Sequence, residues 1–534
     1  MKGKRWVPLL LGLCVFVQIG ALWNGFYWDD RPLILEGKLV HSFRAVPEIF
    51  QHEMWYNVDL GARAPQARID TYRPISTLSF LIDHSIWGDR PSGYHLSNLL
   101  IHLLNVLLLF AILASLVGSE WAALSAVIFA LHPLTVECVQ YISARTDSLP
   151  ALFGLLGIWV AIRYPNDRIT PLGCFLFSMM SKETGIVFPI LAYLVQVARG
   201  AKPRGPGLLG TIFLYFVLRR IALGGAKVFE GSTHVADVFL NYPRYLFDFV
   251  HSFLIPHAIF PMQEFHAVQG PGSLWTWIVA IVGNGGITAA LIYGWIRKCT
   301  WLPVVAGILL PLALPLVVVS VTTETNPRYL YGILPAASVA FAFFLTRLPL
   351  CPAHRIAVWT GVLLGFAGMT FVGSRGYRTE ESFYRKILTT NPASMTGHYN
   401  LANTLSRSGR WEEAIPSYER LVKERKENPS YWNNLAVAYL NVGRLRDAEQ
   451  AVDQAIRLDS AEGRYEYNQG LILHALGRPS ESAQAFFLAV RAPRPYPKAL
   501  PELQRFCASL EGRAATGCSE FRAPSGSPTS AKRP

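Results

Sequence analysis

Eleven apolar stretches, each as long as a membrane-spanning helix or slightly shorter, occupy most of the first 375 residues of this 534-residue chain. A hydrocarbon core about 30 Å thick is crossed by a helix of about 20 residues, and it does not tolerate unpaired backbone groups. The sequence therefore predicts a polytopic helical membrane domain over residues 1–375. The stretches lie at about 6–23, 97–118, 121–136, 141–163, 168–181, 183–198, 207–223, 274–296, 301–321, 329–346 and 355–373.

A further stretch, residues 240–260, is interrupted by Pro243, Asp248 and other polar residues. We interpret it as an interfacial or re-entrant segment, because a twelfth span would move basic loops to the outside. With eleven spans the N-terminus and all basic loops face the cytoplasm, and the C-terminal part lies on the other side. Much of the net charge of +13 then sets orientation and does not require a nucleic-acid partner. The basic loops contain Arg163, Arg168, Arg199, Lys202, Arg204, Arg297, Lys298, Arg347 and Arg355.

Polar clusters collect on the face opposite the cytoplasm. The first external loop, residues 24–96, opens with the acidic pair Asp29 and Asp30 directly after the first span. Each cluster alone fits a helix cap, a solvated turn or a snorkelling side chain. Ionisable groups near a membrane interior are nevertheless functional candidates, and carboxylates beside cations suit a reaction on a lipid phosphate. The other clusters are His132 with Glu137, Arg145 with Asp147, Lys182 with Glu183, and Arg328 with Tyr329.

Residues 376–492 repeat with a period of 34, most clearly at Gly409, Gly443 and Gly477. A glycine between two helical patterns at this period is typical of tetratricopeptide repeats. We predict a half repeat beginning at Glu380, then three full repeats that form an α-solenoid with a concave protein-binding surface. Residues 493–534 are expected to form a Pro-rich, partly disordered tail.

Five cysteines in or beside the spans have no metal-ligand spacing, so the sequence predicts neither a metal nor another cofactor. Cys507 and Cys518 lie together in the C-terminal tail. They would form a disulfide if the tail is outside the cytoplasm and remain two thiols if it is inside.

These motifs together resemble those of a known family. The chain is similar to the transmembrane and tetratricopeptide repeat-containing O-mannosyltransferases and their bacterial relatives. That family belongs to the GT-C superfamily of polyprenyl-phosphate-sugar-dependent glycosyltransferases. Two motifs depart from the family pattern: Ser143 to Thr146 replace a Gly-Arg-Ala element, and Asn326-Pro327 replace an acidic residue. The matching motifs are Tyr27-Trp28-Asp29-Asp30, His132-Pro133 with Glu137, Arg145-Thr146-Asp147, Lys182-Glu183 and Arg328-Tyr329-Leu330-Tyr331.

The resemblance implies an all-α fold and an inverting transfer of a hexose, mannose in the family, from polyprenyl phosphate to Ser or Thr hydroxyls of exported proteins. Asp29, with Asp30 as the alternative, would be the general base. Arg145, Lys182 and Arg328 would bind the donor phosphate. The repeats would bind the acceptor protein, and a bacterial inner membrane with a periplasmic active site is expected. The supporting residues would be His132, Glu137, Asp147, Glu183 and Tyr329.

Two alternatives remain open from the sequence. The acceptor could be a lipid or an envelope glycan, in which case activity would survive deletion of the repeats from about Met395. The chain could instead be a membrane-anchored repeat scaffold without enzymatic activity, and replacing Asp29 and Asp30 by asparagine would then leave function intact. A transporter is disfavoured because the ionisable residues cluster at one face and not at the midplane.

Overall fold

The computed structural model describes residues 6–56, 71–224, 235–256, 263–264, 273–322 and 324–508. Over these ranges the chain is all-α, as predicted, apart from one antiparallel pair of two-residue strands, β1 (Gln263–Glu264) and β2 (Glu324–Thr325). The chain forms two compact units, Met1–Pro392 and Ala393–Pro534.

The first unit holds all the long apolar helices. Its helices are α1 (Trp6–Gln18), α2 (Val46–Gln51), α3 (Pro74–Trp87), α4 (Pro91–Leu116), α5 (Ser119–Leu131), α6 (Val136–Gln140), α7 (Arg145–Arg163), α8 (Thr170–Ser181), α9 (Val187–Ala198), α10 (Gly205–Ala222), α11 (Val235–Leu254), α12 (Leu274–Ile296), α13 (Leu302–Thr322), α14 (Leu334–Thr346), α15 (Pro352–Ser374) and α16 (Glu380–Thr390). Short 3-10 or π-helical turns lie at Ile19–Trp23, Arg31–Leu35, Lys38–Val40, Phe43–Ala45, Pro133–Thr135, Ile142–Ala144, Glu183–Ile186, Pro327–Ile333 and Arg375–Tyr377.

Each of the eleven predicted stretches coincides with a helix, although several are too short for a full span. Polar breaks shorten them: α5 ends before His132-Pro133, and Lys182 separates α8 from the helical turn that leads into α9. A bent pair, Ser119–Leu131 with Pro133–Gln140, turns by 59° and would be a seventh span if counted as one. The chain is a multi-pass membrane protein. Among the described residues, six helical segments are long and apolar enough to cross a membrane: Pro91–Leu116, Ile142–Arg163, Gly205–Ala222, Leu274–Ile296, Arg328–Thr346 and Pro352–Tyr377.

The interrupted stretch at 240–260 is largely occupied by helix α11, which runs through Pro243 and ends at Leu254. This helix is not among the segments that qualify as spans by length and composition. Its assignment as interfacial or re-entrant stays a prediction.

Helix α4 carries a buried polar stripe along one side. His95, Asn98, His102 and Asn105 are all fully buried, and their spacing of three and four residues puts them on one helix face. The amide of Asn98 donates to the carbonyl oxygens of Tyr141 at 3.0 Å and of Ile142 at 3.2 Å. Further along, the Asn105 amide donates to the carbonyl of Ser148 at 3.0 Å.

The stripe faces the irregular segment 132–148, where His132, Tyr141 and two short 3-10 turns interrupt the α-helical path between α5, α6 and α7. Backbone groups left free by such breaks are costly away from water unless protein groups pair with them. The side chains of α4 therefore take the place of the missing helical hydrogen bonds and fix the segment that carries several candidate residues.

Helix α7 packs closely against α8 and α9. This packing places the polar junction between α8 and α9 near the segment 132–148. A methyl group added at Gly154 would lie 2.0 Å from the ring of Phe188 in α9, and one at Gly157 would lie 2.6 Å from the ring of Phe175 in α8. Only glycine fits at these two positions without displacing a ring. The junction between α8 and α9, which carries Lys182, consequently lies against α7.

The second unit contains three successive helix pairs, as the 34-residue period predicts. Gly409, Gly443 and Gly477 join the helices of each pair with φ of +75°, +77° and +73°, a left-handed conformation that favours glycine. Its helices are α17 (Met395–Arg407) with α18 (Trp411–Glu424), α19 (Pro429–Asn441) with α20 (Leu445–Leu458), α21 (Gly463–Ala475) with α22 (Pro479–Arg491), and a final α23 (Ala499–Ala508).

The start of the predicted tail is structured. Helix α23 buries Leu503 and Phe506 against Ala483 and Phe486 of the last pair, so it covers the end of the repeat array. The predicted pairing of Cys507 with Cys518 lies outside the described residues, because Cys518 is beyond residue 508.

The stripe on α4 makes a stability prediction. Replacing Asn98 by alanine leaves buried carbonyls and the Nε of Arg145 without partners, and each such group costs about 1–3 kcal/mol. We expect Asn98→Ala to lower the free energy of unfolding by about 3 kcal/mol or more, measured as a lower melting temperature of the purified protein. The control is Leu100→Ala, an exposed residue of the same helix. Equal melting temperatures for the two variants would contradict the role of the stripe.

Candidate active site

The acidic pair follows a strained turn. Trp28 has a φ of +51°, in the left-handed region that bulky side chains rarely adopt. Such a conformation costs about 1–3 kcal/mol and persists only where its surroundings fix it. The fixing contacts come from the end of α6 and the residue after it: the Tyr27 hydroxyl donates to the carbonyl of Gln140, and the backbone N–H of Asp29 donates to the Tyr141 hydroxyl at 3.1 Å.

The two carboxylates of the pair meet different environments. Asp30 is fully buried, and its Oδ1 accepts from the backbone N–H of Ser143 at 2.8 Å and from the Ser143 hydroxyl at 2.5 Å. Its Oδ2 accepts from the Tyr27 N–H at 3.3 Å. Burial raises the pKa of Asp30 to about 7, although the bonds from Ser143 and Tyr27 oppose the rise. Asp30 thus ties the turn to the segment between α6 and α7.

Asp29 is instead 24% exposed and faces Arg328, at 3.9 Å between its Oδ2 and the guanidinium Nη2. Arg328 also lies 3.9 Å from the carboxylates of Glu137 and Asp147, measured from its Nε. Its backbone N–H donates to Glu137 Oε2 at 3.1 Å. One cation is therefore surrounded by three carboxylates, of which one follows α1 and two lie in the segment 132–148.

The side-chain separations of 3.9 Å are ion pairs but not hydrogen bonds. Glu137 Oε1, Asp147 Oδ2 and Arg328 Nε are buried, and each lacks a hydrogen-bond partner among the described residues. Buried polar atoms without partners are rare in proteins and call for an explanation such as a functional role. The loosely paired charges therefore mark this place as a candidate site.

Lys182 completes the group. Its ammonium contacts Asp147 Oδ1 and lies 4.8 Å from the ring centroid of Tyr329. The Arg328 guanidinium lies 5.6 Å from the same ring and 5.2 Å from that of Tyr141, so aromatic faces hold both cations. We call Asp29, Glu137, Asp147, Lys182 and Arg328 the ionic cluster.

An apolar crevice adjoins the ionic cluster. Asp147 and Tyr329 form one part of its wall. Helices α7, α9 and α13 supply apolar residues, and two further residues lie in the turns at 183–186 and 327–333. The apolar residues are Pro150, Ala151, Val187, Phe188 and Pro311, and the two from the turns are Thr184 and Gly332. Charged groups and an apolar cleft therefore share a boundary.

Arg145 does not join the ionic cluster. It is 1% exposed, and its guanidinium donates to Asp83 Oδ2 at 2.5 Å, to Asn98 Oδ1 at 2.7 Å and to the Tyr94 carbonyl at 3.0 Å. All of these partners lie on α3 and α4. The placement of Arg145 favours a role in holding α7 against these helices and gives no support to direct phosphate binding.

Two other predicted residues also lie apart from the cluster. The Nε2 of His132 lies 3.0 Å from the carbonyl of Phe253, and its Nδ1 accepts from the Leu134 N–H, so it caps the turn after α5. Glu183 pairs with Arg73 at 3.0 Å and with Arg219 at 3.3 Å. These contacts fit the structural roles that the sequence also allowed.

Sequence reasoning missed Asp83, Arg73, Arg219 and Asn98. A signal existed for Asp83, since it is the one carboxylate in the stretch Pro74–Trp87, which is rich in apolar residues. No group of three or more His, Cys, Asp or Glu residues that could hold a metal ion occurs in the described part of the chain.

The pKa of Asp30 makes a prediction about stability. A raised pKa means that the folded state retains a proton that the unfolded state releases between pH 3.8 and about 7. Stability from this group is thus present at low pH and lost as pH rises through that window, by on the order of 1 kcal/mol per pH unit. We expect the melting temperature of the wild type to fall relative to that of Asp30→Asn over this range. Parallel pH profiles for the two proteins would contradict the assignment.

The chain is similar to several known proteins. Residues 405–467 match the tetratricopeptide repeat family. Human protein O-mannosyl-transferase TMTC3 is 22% identical over 528 residues, covering 90% of this chain and 54% of that protein. Protein O-mannosyl-transferase F38B6.6 of Caenorhabditis elegans is 22% identical over 455 residues, covering 80% of this chain and 64% of that protein. The crystal structure of apo ArnT from Cupriavidus metallidurans aligns with a TM-score of 0.39 at 15% identity, over 91% of this chain and 80% of that chain.

The chain spans about half the length of its human relative, at 54%, and under two thirds of its nematode relative, at 64%. The family resemblance and the repeats predicted from the sequence are confirmed. This protein is a distant relative of the TMTC protein O-mannosyl-transferases and carries tetratricopeptide repeats in its C-terminal part.

Proposed function

We propose that this protein is a GT-C-type membrane glycosyltransferase that moves a hexose from a polyprenyl-phosphate donor to Ser or Thr hydroxyls of exported proteins, with inversion at the anomeric carbon. The observation that carries the proposal is the ionic cluster, in which a partly exposed carboxylate stands beside a cation with an unsatisfied Nε. The relatives are protein O-mannosyl-transferases, which favours mannose as the hexose.

Asp29 is the general base in this proposal. Its side chain is partly exposed beside Arg328, whereas Asp30 is fully buried. An Asp29 oxygen accepts the proton of the acceptor hydroxyl while the hydroxyl oxygen attacks the anomeric carbon. The bond from that carbon to the phosphate oxygen breaks, and the lipid phosphate leaves with the electron pair. General-base assistance of this kind contributes about 10²–10⁴ in rate.

Arg328 and Lys182 stabilise the leaving phosphate. Three carboxylates and two cations share the cluster, so bound phosphate would be repelled if all charges stayed fixed. Proton uptake by Asp29 removes one negative charge at 3.9 Å from Arg328 at the moment when negative charge develops on the phosphate. The cation then stabilises the transition state more than the ground state, which is the condition for catalysis.

The surroundings have supporting roles in the proposal. Asp30, Arg145, His132 and Glu183 hold the backbone around the site through the contacts described above. The site would face the periplasm of a bacterial inner membrane, and the repeats would bind the acceptor protein.

Sugar transfer tests the proposal. Membranes carrying the wild type should transfer label from a radiolabelled polyprenyl-phosphate hexose to protein, and Asp29→Asn should lower the rate by about 10²-fold or more because the base is lost. The matched control is Asp89→Asn, an exposed carboxylate of the first external loop, which should keep wild-type activity.

Equal transfer by the wild type and Asp29→Asn at equal protein levels would exclude Asp29 as the base. Label recovered in lipid or glycan and not in protein would contradict the protein acceptor. Absence of transfer by the wild type with a panel of donor sugars would favour the scaffold alternative.

A further inference from the structure

Helix α16 contributes a side chain to the turn that carries the acidic pair. The sequence pattern assigns this helix to the repeat array as a half repeat, yet its packing places it in the first unit. Phe383 of α16 is 1% exposed, and its ring centroid lies 5.1 Å from that of Tyr27 and 5.9 Å from that of Trp28. The array thus begins, along the chain, with a helix that touches the candidate active site.

Phe383 closes an aromatic group around Trp28. Trp28 stacks on Tyr141 at 6.1 Å with an interplanar angle of 17°. The Phe383 ring lies 5.9 Å from Trp28 and 6.2 Å from Tyr141, so the three rings pack against one another. Phe383 also lies 5.4 Å from Tyr377, which ends the last span. A left-handed φ at a bulky residue is retained only if its neighbours enforce it. Here the neighbours are these rings together with the hydrogen bonds of Tyr27 and Asp29 described above.

The position of α16 is itself fixed at its N-terminus. Thr379 and Ser382 form a capping box, in which the Thr379 hydroxyl accepts from the Ser382 N–H at 3.0 Å and the Ser382 hydroxyl accepts from the Thr379 N–H at 2.9 Å. For its own proton the Ser382 hydroxyl has two acceptors within reach, the Thr379 carbonyl at 2.8 Å and the Gly376 carbonyl at 3.3 Å. These bonds tie the start of the helix to the end of the last span, so the ring of Phe383 has a defined location.

We infer that Phe383 is a positioning residue for Asp29: its ring holds Trp28 in the left-handed conformation that directs the next residue towards Arg328. This inference rests on the proposed function, because it assigns a catalytic consequence to the geometry of the turn. The peptide bond between Trp28 and Asp29 transmits the effect, since a change in the backbone angles of Trp28 displaces the Asp29 carboxylate from its place 3.9 Å from Arg328. Displacing a reacting group by about 1 Å can cost up to 10²-fold in rate.

The test compares three variants of the full chain in lipid nanodiscs: Phe383→Ala, Phe383→Leu and Ile387→Ala. Ile387 is the matched control, because it is also fully buried on α16 but lies one turn further along the helix. The first readout is hydrogen exchange of the backbone amides of residues 26–33, measured by mass spectrometry. The second is kcat and donor KM for hexose transfer.

We expect Phe383→Ala to increase exchange in residues 26–33 and to lower kcat by about tenfold or more, while the donor KM stays within about twofold. Phe383→Leu fills most of the same volume and should restore kcat to within about threefold of the wild type. Ile387→Ala should leave the exchange of residues 26–33 and kcat unchanged.

Unchanged exchange of residues 26–33 in Phe383→Ala overturns the inference whatever the transfer assay shows. An equal increase in Phe383→Ala and Ile387→Ala also overturns it, because the effect would then come from general loosening of α16. If Phe383→Ala does not fold, the comparison uses the other two variants. The inference then requires that hydrogen exchange of residues 26–33 exceeds the wild-type level slightly in Phe383→Leu and stays at the wild-type level in Ile387→Ala. A third outcome separates the two proposals. If the three variants show the expected differences in hydrogen exchange but the wild type transfers no hexose, the proposed function is contradicted and the role of Phe383 in holding the turn is supported.

Discussion

The first unit depends on how the broken backbone of residues 132–148 is satisfied. Three helices are interrupted there, and free peptide groups within a membrane domain cost several kcal/mol each. The buried face of α4 provides the partners, with the Asn98 amide reaching two carbonyls of the segment and its oxygen accepting from Arg145. Asp83 of α3 then balances the charge that Arg145 brings into the interior. The break could not persist without this polar face.

The same break brings the residues of the candidate site together. Because the backbone leaves the helical path, Glu137 and Asp147 point towards Arg328 from the two sides of the interruption, and Ser143 between them offers two donors to Asp30. A single continuous helix would instead separate Glu137 from Asp147 by about 15 Å along its axis. The geometry also separates the adjacent carboxylates, leaving one buried and fully bonded and the other partly exposed beside a cation.

Much of the architecture could be predicted from the sequence because it depends on period and length. Apolar stretches located the helices, and the spacing of Gly409, Gly443 and Gly477 located the turns that require a left-handed residue. The site could be predicted only in part. Carboxylates and cations at one membrane face indicated Asp29, Glu137, Asp147, Lys182 and Arg328, which do meet.

The remainder of the site depends on tertiary partners that sequence spacing does not reveal. Arg145 and Glu183 belong to the same motifs as the cluster residues, yet α3 supplies Asp83 to Arg145, and Arg73 just before α3 pairs with Glu183. Phe383 carries a repeat-like pattern but packs on Tyr27 and Trp28. In each case a residue distant along the chain decides whether a charged or aromatic side chain serves the site or the scaffold.

In the proposed function Arg328 binds the donor phosphate. Binding of polyprenyl phosphate to the purified full chain tests this role most directly. Native mass spectrometry of the wild type, Arg328→Gln and Arg347→Gln gives the comparison, with Arg347 as a cation that packs on Phe343 outside the cluster. Loss of charge-assisted hydrogen bonds worth about 1.5–3 kcal/mol predicts binding at least about tenfold weaker for Arg328→Gln and unchanged binding for Arg347→Gln. Equal affinities for all three proteins would contradict the account.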